Sequence, residues 1–469
     1  MPGMLSTLLQ ALRDRPGTDM RFLCRRLLSE RGEASQTALA QKIITTYHEM
    51  DSAERAAFFE MLCRDFSPDE AEVLRASAEY QRNPGPKSLA ALSASVEAPR
   101  QELIRRINTA PRGTETLVTM RAHLLELGGT DSKFGELDSD LKHLFRSWFN
   151  RGFLRLQRIS WHTSALILEK LIRYESVHEI NGWPDLRRRL EDDRRCFAFF
   201  HPALDDEPVI FVEVALTDGI VGDLAPLLDV NAPVLGPDKA DTAIFYSINN
   251  CLKGLRGIPF GNFLIKQVVA DLAAEFPRLR KYSTLSPLPQ FAEAVGQRDA
   301  EHGFTRERLA RLLEDFEPKL TEAAGRSGAV DAFFELSKEP LRHDEVLAAP
   351  LERLALAYLT QARRKGRLYD SVALFHLANG ARIERINAFG NLRVYGLKAS
   401  LGVTVNYRYI PDELEENHER FVSKGQIRVS PGLLREYGIV AEAWNGKPAK
   451  HGSPGGSREE SPRSAGVAE

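Results

Sequence analysis

The sequence predicts an α+β protein in which a helical N-terminal domain precedes a mixed α/β domain. Residues 1–190 contain blocks whose apolar residues recur three and four apart, the spacing of one helix face; these are Met20–Arg31, Ala53–Phe66, Glu102–Asn108 and Leu141–Phe149. After Asp192 the pattern changes to short runs of β-forming residues bounded by Asp, Gly and Pro. We therefore place a helical domain at residues 1–190 and a mixed α/β domain at residues 191–445.

Three further segments complete this outline. Residues 292–366 are predicted as charged amphipathic helix that interrupts the sheet, and strands are predicted at Arg382–Ile386 and Leu392–Leu397. Residues 446–469 are rich in Gly, Pro, Ser and charged residues, and they are predicted as a disordered tail because they have too little apolar surface to pack. With 469 residues and 43% hydrophobic content, the chain can bury one or two substantial hydrophobic cores.

Charge and cysteine content favour a cytoplasmic protein that binds neither nucleic acid nor membrane. Lysine and arginine total 63 against 65 aspartates and glutamates. The chain therefore has no overall positive charge that would favour binding to nucleic acid or to an anionic membrane. No apolar run approaches the roughly 20 residues that span a bilayer. Four scattered cysteines without a Cys-x-x-Cys pair predict neither a disulfide framework nor a redox centre. The termini lack a signal-peptide pattern and a Ser-Lys-Leu ending, so we expect a cytoplasmic location.

The segment from Thr242 to Phe291 is the most informative part of the chain. Ala243–Ile248 is predicted as a strand, and apolar residues from Leu264 to Phe276 repeat at the helical period. The glycine-bearing turn between them allows close approach of a ligand to the backbone, and free N–H groups at the start of the helix attract a pyrophosphate. The alternative interpretation is an ordinary strand-to-helix turn.

Several motifs in this order resemble the malonyl-CoA decarboxylase family over residues 100–410. They are Arg195–Pro202, Glu207–Thr217, Tyr282–Pro289, Phe375–Ala381 and Val405–Tyr409, with Gly152–Leu154 and Trp161-His162 upstream. The resemblance implies a C-terminal domain with the GNAT-type (acetyltransferase-like) fold, conversion of malonyl-CoA to acetyl-CoA and carbon dioxide, and a homo-oligomer, either a dimer or a tetramer. The N-terminal domain shows no catalytic motif and is expected to serve in oligomerisation.

The resemblance implies that His376 is catalytic. His376 stands in Phe-His-Leu-x-Asn-Gly-Ala, the family motif of the catalytic histidine, and histidine transfers protons near neutral pH. We expect it to protonate the enolate carbon. By itself, the apolar sequence before it also fits a core histidine. The sequence departs from the family pattern just before this motif. It has Asp370-Ser371-Val372, where relatives commonly carry a proline before the valine.

The second catalytic residue implied by the family is Ser286, which stands in a Ser-Pro-x-Pro context. Its hydroxyl is expected to donate a hydrogen bond to the malonyl carboxylate or the nascent oxyanion; a plain turn serine before Pro287 is the alternative. Ser283 is a fallback for this role, although a spacing of three places it on the opposite face of a regular strand.

The family's coenzyme A turn falls on seven consecutive residues. They are Arg256, Gly257, Ile258, Pro259, Phe260, Gly261 and Asn262, and Ser286 and His376 complete the substrate contacts. Pro259 stands where relatives can carry an acidic residue. Any role that this acid has in relatives is therefore an open question for this chain.

Decarboxylation requires no cofactor beyond the coenzyme A of the substrate, because the thioester carbonyl accepts the electron pair. No two of the eleven histidines have helical metal-pair spacing, so no metal is predicted. Tyr407, Tyr409, Glu213 and Glu384 are assigned to packing or to solvent-facing strand positions. Two alternatives stay open, a GNAT-type acyltransferase acting on an amine and a non-catalytic coenzyme A-binding protein.

Overall fold

A computed structural model of the chain describes residues 16–129, 132–258, 263–297, 303–364 and 366–437. Four residues of the expected coenzyme A turn, Pro259 to Asn262, and the predicted tail at 446–469 lie outside these ranges. Of the helices in the described ranges, none is long and apolar enough to cross a bilayer.

Helices make up the first part of the described chain, as predicted. They are α1 (Pro16–Ser29), α2 (Glu33–Glu49), α3 (Ser52–Asp65), α4 (Glu70–Arg82), α5 (Pro86–Val96), α6 (Pro99–Asn108), α7 (Gly113–Glu126) and α8 (Gly135–Trp148). Local sequence explains the sharp start of α3, where the Asp51 side chain accepts a hydrogen bond from the Glu54 N–H and the Glu54 side chain accepts one from the Asp51 N–H. The sheet begins earlier than the sequence indicated, because Arg155–Ile159 forms a strand, β1, within residues 1–190.

The mixed sheet is antiparallel except for one parallel pair. Its strands are β1, β2 (Arg194–Phe200), β3 (Pro208–Thr217), β4 (Thr242–Asn250), β5 (Lys281–Thr284), β6 (Ser286–Pro287), β9 (Arg382–Asn387) and β10 (Thr404–Tyr409). β1, β2, β3 and β4 pair in sequence order, β4 and β5 pair in parallel, and β10 pairs with β5, β6 and β9. β7 (Arg363–Arg364) and β8 (Arg367–Leu368) form a separate hairpin. The predicted fold class, a helical region followed by a mixed α/β sheet, is confirmed.

Further helices pack around the sheet, and those between residues 306 and 361 lie in the segment, 292–366, that was predicted to interrupt it. They are α9 (Ala165–Tyr174), α10 (Trp183–Arg188), α11 (Ala225–Leu228), α12 (Phe263–Glu275), α13 (Phe291–Gln297), α14 (Arg306–Leu313), α15 (Glu317–Ala324), α16 (Ala329–Leu336), α17 (Asp344–Gln361), α18 (Ser371–Ala378), α19 (Val394–Ser400), α20 (Leu414–Lys424) and α21 (Pro431–Glu436). Short 3₁₀ helices lie at Pro202–Leu204, Pro237–Lys239, Lys253–Leu255, Glu314–Phe316, Pro340–Arg342 and Pro411–Glu413.

The strand predicted at Leu392–Leu397 is wrong, because this segment enters helix α19. Its alternating apolar residues look like a strand, yet Val394 is 85% exposed and Tyr395 is 58% exposed. Strand preference reflects packing of side chains against a sheet. Since these side chains are exposed, their alternation did not indicate a strand.

The core of the helical region is continuous with one face of the sheet. Phe197 and Phe199 of β2 belong to the same buried cluster as Leu117 and Leu124 of α7. The other face of β2, with Cys196 and Ala198, packs under α9 in a smaller cluster. Because side chains alternate along a strand, the two faces of the sheet pack into different cores. One of these cores includes the N-terminal helices.

Candidate active site

The candidate site lies where β4 separates from its parallel neighbour. Pairing between these strands ends at Phe245 and Thr284, and the last main-chain bond runs from Leu285 N–H to the Phe245 carbonyl, 3.0 Å. A β-bulge at Tyr246 shifts the register of β4 against β3 at the same point, and bulges bend a strand and redirect its groups. The divergence opens a pocket of about 80 Å³ beside Ser286 and His376.

The structure brings the two predicted catalytic side chains together. His376 Nε2 lies 3.1 Å from Ser286 Oγ, and the hydroxyl of Ser286 donates to Thr284 Oγ1 at 2.9 Å. On the other side of the ring, His376 Nδ1 lies 2.7 Å from the Tyr409 hydroxyl. The imidazole stacks on the Tyr407 ring with 4.7 Å between the ring centroids. Four polar groups thus form one hydrogen-bonded line from Tyr409 to Thr284.

Both ends of α18 fix the position of His376. The Asp370 carboxylate caps the N-terminus by accepting a bond from the Ala373 N–H at 2.7 Å. At the other end Gly380 has φ +84°, and a Cβ there would lie 2.1 Å from the Leu414 carbonyl oxygen. The Asn-Gly pair of the motif is therefore the helix C-terminus, where glycine alone fits the left-handed turn.

The hydrogen-bond network determines the tautomer of His376. Nδ1 is the partner of the buried Tyr409 hydroxyl, and a buried phenol that donates to a ring nitrogen satisfies its own proton. Nδ1 is then the acceptor, and in the neutral ring the proton is on Nε2, directed at Ser286. The Nε2–H is therefore on the side of the ring where a substrate meets Ser286.

Burial lowers the pKa of His376 to about 3, so the imidazole is neutral near pH 7 in the unliganded site. The sequence predicts a histidine that titrates near neutral pH, and the structure differs because only 3% of this residue is exposed. Burial also raises the pKa of Tyr409 well above its ordinary value. The hydrogen-bonded line is thus uncharged before substrate binds.

The described part of the turn expected to bind coenzyme A lines a larger cleft that also reaches His376. This cleft encloses about 630 Å³, with Arg256, Gly257 and Ile258 at one side and α18 residues from Ser371 to Asn379 at the other. Arg256 and Gly257 are exposed, and Gly257 has φ +75°, a conformation that favours glycine. The remaining expected residues, Pro259, Phe260, Gly261 and Asn262, lie outside the described residues.

Other residues considered in the sequence analysis have different surroundings. The Ser283 hydroxyl donates to the Tyr407 carbonyl at 3.3 Å, so it points away from His376. The prediction that Glu213 faces solvent is wrong: it is 1% exposed and accepts from Arg189 Nη1 at 2.8 Å. Glu384 accepts from Arg382 and Arg408 at a partly buried position.

From the sequence, Tyr409 was assigned to packing and Thr284 was not singled out, although both belong to the hydrogen-bonded line. Thr284 and Ser286 are two residues apart, the spacing that places side chains on one face of a strand, so the sequence held a signal for Thr284. Nothing local indicated that Tyr409 contacts a histidine 33 positions away. Among the described residues, no group of three or more His, Cys, Asp or Glu is arranged to hold a metal ion.

Comparisons with known proteins agree with one another. Models of the malonyl-CoA decarboxylase N-terminal and C-terminal domains match residues 66–149 and 152–447. The mitochondrial malonyl-CoA decarboxylase of Mus musculus is 31% identical over 418 residues, which is 84% of this chain and 83% of that protein. Crystal structures of malonyl-CoA decarboxylase from Rhodopseudomonas palustris and Agrobacterium vitis are 42% and 44% identical, with TM-scores of 0.78 and 0.76. Each comparison covers 89% of this chain and 99% of the solved one.

Proposed function

The chain belongs to the malonyl-CoA decarboxylase family, and we propose that it converts malonyl-CoA to acetyl-CoA and carbon dioxide with Ser286 and His376 as its catalytic residues. The observation that carries this proposal is the cleft that runs from the Arg256–Ile258 turn to His376. It offers one continuous path for a substrate whose phosphates lie at the turn and whose acyl group reaches Ser286.

Binding is assigned to the turn and the cleft walls. The exposed Arg256 guanidinium supplies charge for phosphate, and the half-exposed Leu374 and Phe375 side chains offer apolar surface to the pantetheine arm. The malonyl group enters the small pocket beside Ser286, where β4 is no longer paired with β5 beyond Phe245.

Carbon–carbon cleavage is assigned to the Ser286 side of the site. The bond to the carboxylate breaks, its electron pair moves into the thioester carbonyl, and carbon dioxide leaves an enolate. When substrate is bound, the Ser286 hydroxyl rotates its single proton from Thr284 Oγ1 to the malonyl carboxylate or to the enolate oxygen, where negative charge develops. Desolvation of the pocket strengthens this hydrogen bond.

Protonation is assigned to His376. The malonyl carboxylate brings a negative charge beside the neutral imidazole, and a nearby opposite charge favours the protonated ring. The ring then takes one proton from solvent, and its Nδ1–H donates to the Tyr409 hydroxyl. Transfer of the Nε2 proton to the enolate carbon gives acetyl-CoA and leaves a neutral ring with its proton on Nδ1. Loss of that proton and protonation of Nε2, both by exchange with solvent, restore the resting tautomer. Overall, one proton from water replaces the carboxylate that leaves as carbon dioxide.

The purified chain is expected to release carbon dioxide from malonyl-CoA in the presence of a chelator and without an acyl acceptor. The thioester carbonyl already accepts the electron pair, so no cofactor is required. Carbon dioxide and acetyl-CoA are measured together by manometry and chromatography. Turnover that needs an added amine would indicate an acyltransferase, and binding without turnover would indicate a non-catalytic protein. Loss of activity restored by one divalent ion would contradict the metal-free mechanism.

His376 is expected to stay neutral in the unliganded protein from about pH 5 to 8, because burial lowers its pKa to about 3. The neutral form is populated above that value, so no titration falls in this range. NMR of ¹³C-labelled imidazole side chains measures this directly, with His376→Asn to assign the resonance. Saturating malonyl-CoA analogue should raise the pKa. A midpoint near 6.5 in the free protein would contradict the burial argument.

We also propose a cytoplasmic location and a homo-oligomer, either a dimer or a tetramer. Both follow from the family resemblance and from the composition rather than from contacts in the molecule. Sedimentation of the purified chain would establish its oligomeric state.

A further inference from the structure

A buried arginine of the helical region contacts the coenzyme A turn. Arg121 lies on α7, is 0% exposed and pairs with Asp138 of α8 at 2.8 Å. Its Nη1 donates to the main-chain carbonyl of Arg256, the first residue of the turn, at 2.9 Å and to that of Gly254, two residues before the turn, at 2.5 Å. One guanidinium therefore connects two N-terminal helices to the segment that is expected to bind the substrate phosphates.

The main chain of α7 also lies directly against Gly254, two residues before the turn. A Cβ on Gly254 would be 1.8 Å from the Val118 carbonyl oxygen, far inside any van der Waals contact. Only glycine permits this approach, which brings the two carbonyls within reach of Arg121.

Holding the Arg256 carbonyl also sets the direction of the next N–H. In a trans peptide the carbonyl and the following N–H point in opposite directions. Because the Arg256 carbonyl faces Arg121, the Gly257 N–H faces away from the helical region, and Gly257 lines the cleft. Within the described ranges, this N–H has no hydrogen-bond partner. A free N–H beside the exposed Arg256 side chain suits a phosphate oxygen.

We propose that Arg121 is a positioning residue for coenzyme A, so that the helical region forms part of the substrate site. It touches no substrate; it holds the turn so that the Arg256 side chain and the Gly257 N–H face the cleft. The inference rests on the proposed function for the identity of the ligand. It assigns to the N-terminal helices a role in substrate binding that their sequence did not suggest.

Arg121→Met tests this proposal, because it removes both bonds to the turn while Asp138 keeps its pair with Lys142, 2.6 Å away. We expect the Kd for coenzyme A, measured by calorimetry, and the KM for malonyl-CoA to rise about tenfold or more, the scale of a lost charge-assisted hydrogen bond. The kcat should stay within about twofold, since Ser286 and His376 are unchanged. Gly254→Ala, which forces the turn off α7, should give the same pattern.

Arg100→Met is the matched control. Arg100 is 3% exposed and pairs with Asp140 at 2.5 Å within the same helical region, and its other side-chain bonds go to Ser67 and Glu136. It should lower the melting temperature comparably and leave Kd and KM unchanged. An unchanged Kd in folded Arg121→Lys and Arg121→Met, or an equal rise in Arg100→Met, would overturn the proposal. Since calorimetry with coenzyme A needs no turnover, a wild-type chain that binds but does not decarboxylate would refute the proposed function alone.

Discussion

Replacement of His376 by Asn is expected to lower kcat for malonyl-CoA by roughly 10² to 10⁴, the usual contribution of a positioned proton donor. Asn is close in size and polar, but it cannot deliver a proton to the enolate carbon. The Kd for coenzyme A should change by less than about threefold, because phosphate binding is assigned to the turn at the far end of the cleft. Stopped-flow release of carbon dioxide and calorimetry measure the two quantities separately.

His201→Asn provides the control for the loss of a buried ring. His201 is also buried and packs against Phe149 with 4.7 Å between the ring centroids, the same separation as His376 and Tyr407, although the His201 and Phe149 rings are tilted by 42°. Its Nε2 contacts the Trp148 carbonyl at 3.1 Å, outside the candidate site. Its replacement should leave kcat within about twofold. Equal losses of kcat and coenzyme A affinity in His376→Asn would assign that histidine to structure instead of catalysis.

Ser286→Ala is expected to lower kcat by about 10² to 10³, the range for deletion of one preorganised donor to a developing oxyanion. The Ser286 hydroxyl lies between His376 Nε2 and Thr284 Oγ1, at 3.1 and 2.9 Å, so it is held in place before substrate arrives. We expect it to act by hydrogen bonding alone. Pro287 has no N–H to supply the oxyanion hole of a nucleophile elbow, and Ser286 has no flanking glycines.

Ser283→Ala is the matched control for this prediction. Ser283 is fully buried three residues upstream, and its hydroxyl donates to a main-chain carbonyl. The substitution should leave kcat within a few fold. Rapid-quench mass spectrometry of the wild type should detect no acylated enzyme. A malonyl or acetyl adduct on Ser286, formed as fast as turnover, would replace the hydrogen-bonding role with a covalent one.

The local sequence pattern was sufficient to predict the helix and the strand that flank the site. The apolar period from Leu264 to Phe276 and the β-forming run at Ala243–Ile248 predicted α12 and β4, because helix and strand periodicities are properties of neighbouring residues. The order of the motifs identified Ser286 and His376 as candidates. No local pattern contains the 3.1 Å contact between these side chains, which are 90 residues apart.

The sequence by itself determined the fold class, the family and the identity of the candidate catalytic pair. The tertiary structure alone decided three other properties: that His376 is neutral, that Tyr409 contacts its Nδ1, and that Arg121 reaches the Arg256 carbonyl from the helical region. The physical reason is common to all three. A pKa depends on the burial and charge of everything around a group, and a hydrogen bond between distant residues exists only once packing of the helices and the sheet has brought them together.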